Sequence, residues 1–141
     1  MRIWLVVAAL LLTMGSALPA WADDAADCAD PGDVLTKSDP ARVLAACHRL
    51  ADKGYASAQF NLAYMYRAGL GVSRDYAEAM RWYRKAADQG YSDAQFNIGV
   101  MYANGDGVSR DYTEAMRWFR KAADQGDPTM AFTSDLFRCF W

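Results

Sequence analysis

Residues 55–90 recur almost letter for letter as residues 91–126, a displacement of 36 positions. Gly54, Gly90 and Gly126 keep the same period, and so do the pairs Trp82/Trp118, Asp75/Asp111 and Tyr66/Tyr102. A period of this length, rich in alanine and aromatics, builds a stack of helical units, each burying its apolar face only against its neighbours. The chain is therefore predicted to be all-α, an α/α superhelical solenoid of antiparallel helix pairs. Such a stack offers a surface rather than an enclosed pocket, which favours binding over catalysis.

Each unit divides into two predicted helices, and every boundary has a local cause. The first helix covers about 57–68 and again about 93–104, with Ser92 and Gln95 as a capping box that Ala56 spoils in the earlier copy. Gly69-Leu70-Gly71-Val72 and Gly105-Asp106-Gly107-Val108 follow, glycines suited to a tight turn at positive φ. The second helix opens on Asp75…Glu78 and Asp111…Glu114, again capping boxes, and stops at Gly90 and Gly126. Along it Tyr76, Ala79, Trp82, Tyr83, Ala86 and Ala87 form one apolar stripe. The opposite side carries Arg81, Arg84, Lys85 and Asp88, repeated as Arg117, Arg120, Lys121 and Asp124. Interleaved acids mark that side as a solvated face rather than a polyanion site.

In the first copy Ala58, Leu62, Ala63, Tyr66, Gly69, Gly71, Val72, Asp75, Ala79, Trp82, Ala86, Ala87 and Gly90 stand at characteristic spacing. In the second the same places hold Ala94, Ile98, Gly99, Tyr102, Gly105, Gly107, Val108, Asp111, Ala115, Trp118, Ala122, Ala123 and Gly126. This pattern closely resembles the Sel1-like repeat (SLR), a relative of the tetratricopeptide repeat. The resemblance implies an adaptor for protein complexes, in bacteria often exported and active in the envelope, with structural rather than catalytic motif positions. It also carries an alternative, because a cysteine-rich branch of such proteins binds or slowly hydrolyses β-lactams. That branch staples each helix pair with a disulfide, whereas neither full repeat here contains a cysteine.

The two copies are flanked by segments of different character. Residues 1–22 read as a secretory signal peptide: Arg2, an apolar run from Ile3 to Leu12, and an Ala20-Trp21-Ala22 site with cleavage after Ala22. The run is too short for a membrane span of roughly 20 residues, so no stable anchor is expected and the protein should be periplasmic or secreted. Residues 23–38 are acidic, contain Pro31-Gly32, and read as a linker or arm. Residues 39–54 begin with Asp39-Pro40, a helix start, and run in register with the second half of the later units, an N-terminal cap. Residues 55–90 and 91–126 are the full repeats, and 127–141 a partial one. Its Phe132 falls in register, but Ser134 and Asp135 replace Ile98 and Gly99. The apolar tail (Leu136, Phe137, Phe140 and Trp141) is expected to fold back as a capping helix or to bury itself in a second subunit, forming a weak homodimer.

Three cysteines in an exported chain invite a disulfide. The short spacing favours a Cys28–Cys47 bridge that staples the arm down over the alternative of three free buried thiols. Cys139 is left over. Without Arg2 the 15 basic residues become 14 against 17 acidic ones, a net charge of −3. That balance excludes the footprint of a nucleic-acid binder. Catalytic sets do not assemble. The one histidine, His48, follows Cys47 directly, and neighbours on a helix diverge by about 100°. There is no second histidine and no C-x-x-C for a metal, and no Ser-x-x-Lys set or phosphate-cradling loop. No catalytic residue, metal or cofactor is predicted.

Removing the packing positions from the first helices leaves one face: Phe60, Asn61, Tyr64, Arg67 and Ala68, then Phe96, Asn97, Val100, Ala103 and Asn104. In a superhelix this face should line the concave side. Aromatic area beside amides suits capture of a peptide or helix from a protein partner. Asn61, Tyr64, Arg67 and Asn104 are expected to be exposed. For Phe60 and Phe96, packing between helices is an equal alternative.

Overall fold

The computed structural model describes residues 24–25, 27–28 and 39–125. Among them are five α-helices and no strand: α1 (Pro40–Asp52), α2 (Ala56–Ala68), α3 (Tyr76–Asp88), α4 (Ser92–Asn104) and α5 (Tyr112–Ala123). Each helix packs on the next in the chain, giving the all-α solenoid. Residues 1–23, most of the acidic arm, Gly126 and residues 127–141 lie outside the described residues, and with them the signal-peptide and C-terminal-cap readings.

Aspartates set the starts of α1, α3 and α5. Asp39 accepts from the Ala41 N–H with Pro40 at the first position, Asp75 from Glu78, and Asp111 from Thr113 and Glu114. The return half of the box is absent at the two acidic pairs. The N–H groups of Asp75 and Asp111 donate instead to the carbonyls of Tyr66 and Tyr102, 2.9 Å away in each case. Glu78 and Glu114 are free to pair with Arg81 and Arg117 one turn on.

The expected Ser92–Gln95 box does not form. Ser92 is already helical, and Tyr91 caps α4 without a side-chain bond. The Gln95 amide donates to the Ala87 carbonyl at 3.1 Å, and Gln59 does the same to Ala51. Each glutamine thus adds a second bond to a last-turn carbonyl of the preceding second helix, which already accepts from the backbone N–H of Gly54 or Gly90. Its job is to join units rather than to start a helix.

Gly69 and Gly105 end the first helices in the left-handed region. The second glycine of each turn has two roles. Gly71 and Gly107 also have positive φ, and a Cβ on either would lie 2.6 Å from Pro40 O or Tyr76 Cβ respectively. Pro40 and Tyr76 are the first residues of the preceding second helices, so each turn docks on the unit before it.

The core follows the predicted stripe, with Ala79, Trp82, Tyr83, Ala86 and Ala87 buried against Ala58, Leu62, Ala63 and Met65; Tyr76 is half-buried. Trp82 spans the joint between units, its ring edge-on to His48 at 5.9 Å. His48 Nε2 lies 3.0 Å from the Tyr66 hydroxyl. Thirty-six residues later Arg84 donates to the Tyr102 hydroxyl, also at 3.0 Å. His48 is therefore the first member of a repeated tie.

The arm departs most from expectation. Its described residues form a helical turn, with the Cys28 N–H donating to Asp24 O at 2.9 Å. A disulfide joins Cys28 to Cys47 on α1, Cα atoms 5.0 Å apart. Asp24 pairs with Arg49, and Asp27 with Arg42 at 2.9 Å. The turn thus touches α1 at Arg42, Cys47 and Arg49 and α2 at Asn61.

Candidate functional site

The face predicted on the first helices is not uniformly open. Asn61 was expected at the surface but is only 6% exposed. Its Nδ2 donates to the Cys28 carbonyl, so the arm covers it. An amide at this position does capture main chain, and the captured main chain is the protein's own.

Arg67 is half-buried rather than free. Its Nη1 donates to Asn97 Oδ1 at 3.1 Å, tying α2 to α4, while Asn97 Nδ2 donates to Asp93 O at 2.8 Å. Phe60 and Phe96 are half-buried packing residues. Phe60 lies 5.7 Å from the Tyr83 ring and 5.3 Å from Tyr91, and Phe96 lies 5.2 Å from Phe119. Tyr64 remains 37% exposed, with no hydroxyl partner among the described residues. Asn104 is exposed, its amide 3.4 Å from Asp106, and Val100 is half-buried. The accessible face is thus Tyr64, Val100 and Asn104, edged by the Arg67–Asn97 tie.

The basic side of the second helices is largely spent on internal contacts. Arg81 and Arg117 pair with glutamates in their own turns, and Arg84 holds Tyr102. Lys85 sits 3.9 Å above the Trp82 ring and Lys121 4.9 Å above Trp118. Among the described residues no cluster of three His, Cys, Asp or Glu side chains could hold a metal, and no helix is long and apolar enough to cross a membrane. His48 is committed to Tyr66 and Trp82, and Cys47 to its disulfide.

Beneath the face lies Tyr83, fully buried, its hydroxyl without a hydrogen-bond partner of good geometry among the described residues. Burial pushes its pKa up to about 12, with the Arg67 charge opposing. The unfolded phenol loses its proton near 10 while the folded one holds it to about 12, so Tyr83 contributes stability below pH 10 that is lost as pH rises towards 12. Phe119 fills the corresponding place in the next unit. Tyr83→Phe should therefore leave stability unchanged or raise it by up to about 1 kcal/mol at neutral pH. It should also flatten the fall in Tm between pH 10 and 12. Calorimetry across that range checks both, and a variant less stable at pH 7 would mean that Arg67 does bond the hydroxyl.

Paired helices cornered by glycines and tied by repeated side chains define an all-α helix-pair solenoid. The family model of the Sel1 repeat matches residues 56–91 and 92–127, and the chain belongs to that family. A crystal structure of a Sel1 repeat protein from Oxalobacter formigenes is similar with 36% identity and a TM-score of 0.71, covering 81% of this chain and 48% of that one. A protective antigen of uropathogenic Escherichia coli strains, displaying an SLR fold, is 37% identical with a TM-score of 0.67, over 76% of this chain and 24% of that one. Cysteine-rich protein B of Helicobacter pylori shares the fold at 18% identity and a TM-score of 0.65, over 73% and 79% of the two chains. The chain spans about half the length of the first and a quarter of the second. No curated protein gives a significant match.

Proposed function

We propose that this protein is an exported, non-enzymatic interaction module that binds a protein or peptide through the face formed by α2 and α4. The observation carrying the choice of face is Tyr64, a large ring 37% exposed, its hydroxyl without a hydrogen-bond partner among the described residues. Most cations on the opposite side are paired or stacked. An accessible aromatic beside Val100, Asn104 and the Arg67–Asn97 tie offers ring area for burial and amides for main chain. Export is supported by the reading of residues 1–22 and fits a disulfide, which persists in an oxidising compartment.

Pull-down from an envelope extract, followed by titration of the captured partner, tests the face. Tyr64→Ala with Asn104→Ala should weaken binding about tenfold or more, as loss of a central aromatic does. Arg81→Ala with Arg117→Ala should change it less than about threefold. The reverse order would move the binding surface to the basic side.

A further inference from the structure

We propose that Arg67, held in place by Asn97 and flanked by Tyr64, is a subsite for the side-chain carboxylate of a glutamate in a protein partner. The two repeats are nearly identical, yet three of the positions where they part lie at one place on the α2–α4 face. Tyr64, Arg67 and Tyr83 of the first unit become Val100, Ala103 and Phe119 in the second, each exchange removing a polar group. Tyr64 and Arg67 stand one turn apart on α2, so their side chains are neighbours. The buried Tyr83 phenol lies beneath them, close enough that both act on its ionisation. The second unit packs the same helix pair without these groups, so packing does not call for them.

The chemistry is that of a carboxylate receptor. Arg42, Arg49, Arg81 and Arg117 pair with acids through exposed side chains, whereas Arg67 is half-buried and bonds a neutral amide oxygen, Asn97 Oδ1, at 3.1 Å. Asn97 is in turn anchored by its own bond to Asp93 O, so the guanidinium is oriented before any ligand arrives. Its other N–H groups keep the planar fork that grips a carboxylate through two parallel bonds. Partial burial strengthens such a pair over one at the surface. The Tyr64 hydroxyl adds a donor, and its ring a wall against water. The recessed position selects the source of the acid. The face continues past Arg67 to Val100 and Asn104 on α4, so a partner's main chain passes over the site and a side chain reaches down into it. The subsite rests on the α2–α4 face being the binding face, but its test uses a small probe and no partner, so either can fail alone.

The test is NMR of the full chain titrated with N-acetylglutamate N-methylamide, whose only carboxylate is the side chain. The Arg67 Nε–H and Asn97 Nδ2 signals should shift and saturate with a Kd on the order of 10 mM, as one charge-assisted pair allows. The matching glutamine derivative should bind at least about tenfold more weakly. Arg67→Lys keeps the charge without the fork and should weaken binding about fivefold. Tyr64→Val with Arg67→Ala and Tyr83→Phe gives the first unit the residues of the second, so helicity should stay and saturation at Asn97 should vanish. Loss of helicity in that variant would make the three groups packing residues and overturn the subsite. Equal binding of the glutamine derivative would remove the role of charge, and equal binding of N-acetylalanine would assign the fork to a chain terminus. Shifts of the same midpoint at Arg81 and Arg117 would reduce the effect to surface charge. Each of these results overturns the proposal, and so does an Arg67 signal that does not move.

Discussion

Trp82→Ala should be among the most damaging single substitutions in this protein, lowering stability by about 3–5 kcal/mol, the usual loss for truncating a buried tryptophan. Trp82 is 2% exposed and fills the joint between two units, edge-on to His48 and roofed by Lys85. A helical stack has no other core to take up the lost contact, because each unit touches only its neighbours. For a domain of roughly 100 residues, the change corresponds to a fall in Tm of roughly 15–30 °C. Trp118→Ala makes the same chemical change at a half-buried position. It should cost only about 1–2 kcal/mol, in proportion to the smaller area returned to water. Thermal unfolding of the two variants side by side provides the check. Equal losses would show that burial at the joint is not what gives Trp82 its weight.

The period made most of the fold legible in the sequence. Alanines, glycines and aspartates recur at places where only close approach, positive φ or an N-cap explains them. The first helices begin within a residue of expectation and end on it, whereas the second helices stop at Asp88 and Ala123, two and three residues before the glycines expected to end them. Gln95 was misread because Ser92 lies three residues before it, a local pattern that a tertiary contact overrode. Gln59 carried the warning: it recurs where Ala56 cannot cap, so its recurrence needed another cause, the Ala51 carbonyl. His48 could have been placed by register with Arg84, since both hold a tyrosine hydroxyl at the end of the next first helix.

The face was less legible for a physical reason. The arm has no apolar period of its own, and its helical turn is held by partners 15 to 33 residues away. Local propensity says nothing about such contacts, and they turned Asn61 from an exposed position into a buried one. Asp24 is one of the residues that make these contacts. Chiefly through its hydrogen bond with Arg49, its carboxyl is held below the ordinary value of 3.8. A depressed carboxylate contributes stability above its unfolded pKa and loses it as pH falls through the folded value. Acid should therefore loosen the ionic part of the arm's attachment while leaving the disulfide intact.

Gly71→Ala should lower stability by about 2–5 kcal/mol through two separable effects. At φ +68° an L side chain costs about 1–2 kcal/mol. The added Cβ also meets Pro40 O at 2.6 Å and Pro40 C at 2.8 Å, backbone atoms at the start of α1. Relieving that clash means moving one unit away from the next, at a further cost of roughly 1–3 kcal/mol. Two other glycines isolate the first effect. Gly54 has φ +93° with nothing within 4 Å of a Cβ, and Gly69 has φ +74° with its nearest atom at 3.5 Å. Their alanine variants should each lose only about 1–2 kcal/mol. Gly107, whose Cβ would lie 2.6 Å from Tyr76 Cβ, should behave like Gly71 because the same turn docks on the same place one unit later. Chemical denaturation of the four variants measures the difference. If Gly71→Ala and Gly107→Ala lose no more than Gly54→Ala, the joint between units yields to a methyl group, and close docking of the turn does not set the stacking of the repeats.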